Sequence, residues 1–145
     1  MNKWDKRFLE LAKQVSTYSK DPSSQVGGVI VDDRNRIVSV GYNGFPRGVE
    51  DTEERYNDRD TKLKMIVHAE VNAILMAHKD LSSHTIYTYP FMPCSNCAGM
   101  IIQSGISRCV SIPVTGERYE RWKDAFKLTE IMFEEAGVKM ELLDL

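Results

Sequence analysis

The 145-residue sequence holds only three cysteines. An odd count, with two of the three just two residues apart, does not make a disulfide framework. In a reducing compartment Cys94 and Cys97 suit a metal or redox role instead. Long apolar runs are also missing. No stretch approaches the roughly 18 apolar residues of a membrane span, so no membrane partner is expected. The opening "MNKWDKRFLE" is charged throughout and lacks the apolar core of a signal peptide, which points to the cytoplasm. Basic charge is not in excess: 19 Lys and Arg stand against 21 Asp and Glu, a net charge of −2. That balance argues against a stable nucleic-acid partner, which needs many phosphate-neutralising cations. There is no internal repeat, low-complexity tract or linker, so residues 1–145 read as a single domain able to bury a core.

What is present is an alternation of helix-period and strand-period segments. Trp4, Phe8, Leu11, Ala12, Val15 and Tyr18 recur at helical spacing, and "SKDP" ends that helix before Pro22. "QVGGVIVDD" and "RIVSVGYNG" read as two strands around a polar turn. "FPRGVEDTEERYNDRDTK" reads as a long polar loop, and connections of that length are often functional. A helix is expected from about Lys62 to Ala77, then the strand "HTIYTY", the short helix "CSNCAGMIIQSG" and the apolar strand "SRCVSIPV". "ERWKDAFKLTEIMFEEAG" is a helix with Trp122, Phe126, Ile131 and Phe133 toward the core and Gly137 as its C-cap, and "VKMELLDL" is a closing strand. The α-β-β-α-β-α-β-α-β order implies an α/β fold with helices on both faces of a sheet.

The chemistry gathers at two helix starts. C-x-x-C at a helix N-terminus places Cys94 and Cys97 where the helix dipole favours thiolates, the form that binds zinc. Alone, the pair is equally compatible with a thioredoxin-like redox centre. His68, where the polar loop becomes a helix, supplies a third zinc ligand, and three protein ligands leave the fourth position open, as in catalytic sites. Cys109 sits in an apolar strand and reads as core. His78 and His84 read as ordinary surface or helix-end histidines. Glu70, two residues after His68, would stand beside a metal-activated water as its proton acceptor.

H-x-E followed by P-C-x-x-C, here His68-Ala69-Glu70 and Pro93 to Cys97, is the signature of zinc nucleobase deaminases. More of the chain resembles the deoxycytidylate (dCMP) deaminases: "SKDPSSQVGGVIV", "GYNGFPRG", "HAEVNAI" and "PCSNCAGMIIQSGI" match successive blocks of that family over much of residues 19–106. The resemblance implies a three-layer α/β/α fold with a five-stranded mixed sheet. It also implies catalytic Zn2+ on His68, Cys94 and Cys97, Glu70 as proton shuttle, and Asn43 facing the sugar. Backbone N–H groups near Ala69 and Cys94 would assist the developing oxyanion. Arg47, just after "GYNGFP", is the first candidate for the phosphate among a supply of cations that includes Lys20, Arg55, Arg59, Lys62 and Lys64, with Arg118 or Arg121 as alternatives. The implied partner is a small nucleotide, and the implied assembly a homo-oligomer, with six subunits the favoured size.

There are departures. The extra structural zinc ligands of some members are missing. Where members carry an acidic, tyrosine-containing stretch that helps close the pocket, this chain reads "IPVTGERYERWKDAF", and Tyr87 to Cys94 is one residue longer. These changes leave the phosphate contacts and any triphosphate regulation unassigned. The reading is therefore hydrolytic deamination of dCMP to dUMP. Its rivals are a nucleoside, guanine or tRNA adenosine deaminase, a non-catalytic zinc module with a fourth ligand, and a redox protein.

Overall fold

A computed structural model describes residues 2–145. Helix α1 (Lys3–Ser16) starts at Asn2, whose side chain accepts from the Asp5 N–H at 2.9 Å, the usual N-cap arrangement. Five strands follow: β1 (Gly27–Val31), β2 (Ile37–Tyr42), β3 (Thr85–Tyr89), β4 (Arg108–Ser111) and β5 (Lys139–Leu142). They form one mixed sheet in the order β2-β1-β3-β4-β5, with β1 antiparallel to both β2 and β3, and β3, β4 and β5 parallel. This is the five-stranded mixed sheet implied by the resemblance.

Alternation along the strands divides the core in two. Val29, Val31, Tyr87 and Val110 pack on Phe8, Leu9 and Ala12 of α1. Ile30, Ile86 and Cys109, on the opposite face, pack beneath helices α4 (Ala69–Ala77), α5 (Ser95–Gln103) and α6 (Gly116–Ala136), through Ala73, Ile101 and Phe133. The result is three layers, α/β/α. Ile131, expected in the core, is 52% exposed; α6 lies on the outside and buries Phe126, Thr129 and Phe133.

The expected long polar loop is structured. It contains two short helices, α2 (Glu53–Asn57) and α3 (Arg59–Met65), capped by the side chains of Thr52 and Asp58. The helix expected from Lys62 to Ala77 is broken: residues 66–68 are extended, and Val67 bridges to Gly44 before α4 begins. Phe45 stacks on Tyr56 at 4.4 Å, holding this segment together.

α4 seats against β2 through a glycine. A Cβ on Gly41 would collide with the backbone N of Ala73 and lie 2.6 Å from the Ala69 carbonyl. Gly41→Ala is therefore expected to cost about 1–3 kcal/mol by overpacking and to shift the helix that carries Glu70. Gly28→Ala, whose nearest new neighbour would be 3.7 Å away, is the control and should stay within about 1 kcal/mol of wild type. Thermal melts of the two variants check this.

A second anchor went unread in the sequence. Buried Asp5 accepts from Tyr87 Oη at 2.7 Å and from Arg108 Nη1 and Nη2 at 3.0 and 2.9 Å, tying α1 to β3 and β4. Burial alone would raise the Asp5 pKa; the hydrogen bonds from Arg108 and Tyr87 outweigh it and hold the carboxyl below its ordinary value. A depressed carboxylate contributes stability above its unfolded pKa of about 3.9, and that contribution is lost as the pH falls through the folded value. Asp5→Asn is thus expected to be less stable than wild type at pH near 7, with the gap narrowing below pH about 4. Denaturant midpoints across that range test the sign.

Candidate functional site

Two helix starts meet at one point above the sheet. His68 is the N-cap of α4 and Cys94 the N-cap of α5, both with extended backbone (φ −70° and −71°), and neither side chain caps its own helix. They turn toward each other instead. His68 Nδ1 lies 3.2 Å from Cys97 Sγ and 3.6 Å from Cys94 Sγ, and the three donor atoms all lie within 4.8 Å of one another. A tetrahedral zinc with its usual bond lengths separates nitrogen and sulfur ligands by about 3.6 Å. The N/S donor set and its spacing therefore fit zinc. No other group of three or more potential ligands occurs among the described residues.

The electrostatics of the cluster suit a cation. Hydrogen bonding from Cys97, with help from His68, overcomes burial and pulls the Cys94 thiol down to about 4. Cys97 is pushed up by its contact with Cys94 and by burial, so between the two sulfurs Cys94 takes the negative charge first. The hydrogen bond with Cys94 raises His68 against the effect of burial.

Glu70, on the first turn of α4, is 3% exposed. Burial lifts its pKa to about 7, with His68 opposing and Cys94 adding to the rise. A carboxyl poised near neutrality can both accept and return a proton. His68, Ala69, Glu70 and Cys94 line one cavity together with Asn43, so the helix entrance does bring His68 and Glu70 into a common cleft.

The other expected site residues separate. Ala69 is buried at the cavity wall. Asn43 reaches the cavity, but its amide is already engaged: Oδ1 accepts from the Val26 N–H at 2.9 Å, and Nδ2 donates to the Ser24 carbonyl at 2.8 Å. Arg47 does not belong to the cavity. It is exposed, and its guanidinium meets Met76 Sδ at 3.5 Å, because the chain turns away from the site after β2. Cys109 is buried in β4, as expected, and His78 is exposed at the end of α4. His84 differs from expectation: it is buried at the start of β3, with Nε2 unpartnered.

Further lining residues include two of the phosphate candidates, Lys62 and Arg121, and others that were not singled out as site residues. Lys62 of α3 donates to Asp21 Oδ1 at 2.8 Å and to Ser23 Oγ at 2.6 Å, drawing the structured loop over the cavity. Burial would raise the Asp21 pKa, but Lys62 and the N–H groups of Ser23 and Ser24 hold it below its ordinary value. From α6 come Arg121, Phe126 and Trp122, the last read as core from its periodicity. Asp21 could have been suspected from "DPSS", an Asx-turn signature. Arg121 is one of the alternative phosphate candidates; no local signal marks Trp122 or Phe126 as site residues.

Comparison with known proteins agrees with this geometry. Residues 2–112 match the family model for the cytidine and deoxycytidylate deaminase zinc-binding region. A protein of Aliivibrio fischeri described as an uncharacterized deaminase in the luxG 3′ region is 45% identical over 145 residues, covering 100% of this chain and 97% of that one. The deoxycytidylate deaminase of Homo sapiens is 36% identical over 141 residues, covering 93% and 76% of the two chains. The crystal structure of the dCMP deaminase of cyanophage S-TIM5 in complex with dCMP and dUMP superposes with a TM-score of 0.76 over 99% of both chains. Its identity is 21%, so that likeness is one of fold.

Proposed function

The chain belongs to the cytidine and deoxycytidylate deaminase family, and from that membership we propose that it is a zinc-dependent enzyme converting dCMP and water to dUMP and ammonia. The observation that carries this reading is the convergence of three zinc-compatible donors and a buried, proton-poised carboxylate on one cavity. When bound, zinc supplies the Lewis acidity that makes a water nucleophilic near neutral pH.

The chain's own residues do the rest. Glu70 Oε takes a proton as the water oxygen adds to C4 of the cytosine ring, and delivers it to N3. It then moves the second proton from that oxygen to the exocyclic amine. The C4–N bond breaks and ammonia leaves, which makes the reaction a hydrolysis at a cyclic amidine carbon. In this reading the N–H groups at the starts of α4 and α5 stabilise the negative charge that develops on oxygen. Burial of the site keeps bulk water from competing for the proton. Asn43, in this reading, is a positioning residue that fixes the 21–26 segment beside the sugar.

Residues 1–145 act as one domain in this reading, and the thiolate-dependent centre suits the reducing cytoplasm. A homo-oligomer, with six subunits the family-like size, is supported by exposed apolar side chains gathered on α4, α5 and α6: Leu75, Met76, Met100, Leu128 and Ile131. Light scattering at micromolar concentration should give a multiple of the monomer mass.

The substrate assignment is tested by kcat/KM for dCMP, CMP, deoxycytidine and guanine. dCMP is expected to lead, with deoxycytidine at least about tenfold behind, the value of one charge-assisted phosphate contact. Equal use of deoxycytidine would replace the nucleotide reading with a nucleoside one.

A further inference from the structure

The cavity has a buried end, at Glu70, and an exposed end, where three cations gather: Arg59 and Lys62 from α3, and Arg121 from α6. Their pairing differs. Lys62 is neutralised by Asp21 at 2.8 Å, with both side chains largely buried. Arg59 and Arg121 are exposed, and among the described residues neither makes an ion pair. Two guanidinium groups without ion pairs, from different elements, thus line one opening, and such a pair of cations suits an anion. Other candidate cations are engaged: Arg47 lies against Met76, Arg55 donates to the Glu50 carbonyl, and Arg118, in the groove beside the cavity, stacks over Phe91.

Trp122 stands beside Arg121 and lines both the cavity and the groove that continues from it past Ser23 and Ser24. Arg121 and Trp122 both lie beyond residue 112, where the match to the zinc-binding region ends. This half of the opening is therefore supplied by a segment beyond the zinc-binding region.

We propose that Arg59 and Arg121 grip the 5′-phosphate of the nucleotide, and that Trp122 is the wall against which its sugar–phosphate end rests. The preference for a nucleotide over a nucleoside is then set by α3 and α6. This rests on the deaminase reading above.

The test compares kcat/KM for dCMP and deoxycytidine in the zinc-loaded wild type, Arg59→Gln, Arg121→Gln and the double variant. Both arginines are exposed, so folding is not at stake. Each single change should lower the dCMP-to-deoxycytidine ratio by about tenfold, and the double change by roughly a hundredfold. A binding readout stands beside it. The chain has two tryptophans, so Trp4→Phe leaves Trp122 as the sole one. Its emission should change as dUMP is added, with a midpoint about tenfold higher once Arg121→Gln is introduced. A double variant that keeps the wild-type ratio overturns the grip, and a silent Trp122 overturns the wall. Failure of the dCMP reading is distinguishable, because it would be seen in the wild type before any arginine is changed.

Discussion

Glu70→Gln is expected to fold, bind zinc and lose turnover of dCMP by at least roughly 10²–10⁴-fold, the range for a lost general acid–base. The amide matches the carboxylate in shape, and the site is buried, so packing is retained. It cannot accept a proton, and both protons moved in the reaction pass through that one group. Among the described residues no other side chain donates a hydrogen bond to Glu70. The loss should fall on kcat, with product binding retained, since the interaction removed operates in the transition state. Near-normal turnover would reduce Glu70 to a first-turn carboxylate favoured by the helix dipole.

Cys97→Ala should abolish both zinc and activity. Cys97 is 1% exposed and lies 3.2 Å from His68 Nδ1, so its loss leaves two ligands and a gap between α4 and α5. Elemental analysis should fall from about one zinc per chain to far below that. A ligand that binds only the folded state stabilises it, so the wild-type melting temperature should drop on adding a chelator. The variant should melt lower from the outset and show no response to the chelator. Full zinc in the variant would remove Cys97 from the ligand set.

The site's centre was legible because its residues sit at fixed short spacings on helix starts. C-x-x-C and H-x-E carry their geometry within one turn, so distance along the chain predicts distance in space. The sheet was legible for the same reason: Val29, Ile30 and Val31 announce a strand buried on both faces. α2 and α3 were hidden because they are too short and polar to show periodicity, although Thr52 and Asp58 carried capping signals. Arg47 lies outside the cavity that Asn43 lines, because the chain turns away after Pro46. Trp122 matched the helical period of a core residue, yet α6 overhangs the cavity, and only the packing of α6 on α5 reveals that. Asp5 and Arg108 are 103 residues apart, beyond any local pattern.

The most direct measurement is to incubate the zinc-loaded protein with dCMP in water enriched in heavy oxygen and to follow the products by mass spectrometry and ammonia release. The account predicts dUMP carrying one heavy oxygen on the ring, ammonia in equal amount, and neither product from Glu70→Gln. Recovery of unaltered dCMP from zinc-loaded wild type, or equal conversion by Glu70→Gln, would contradict it.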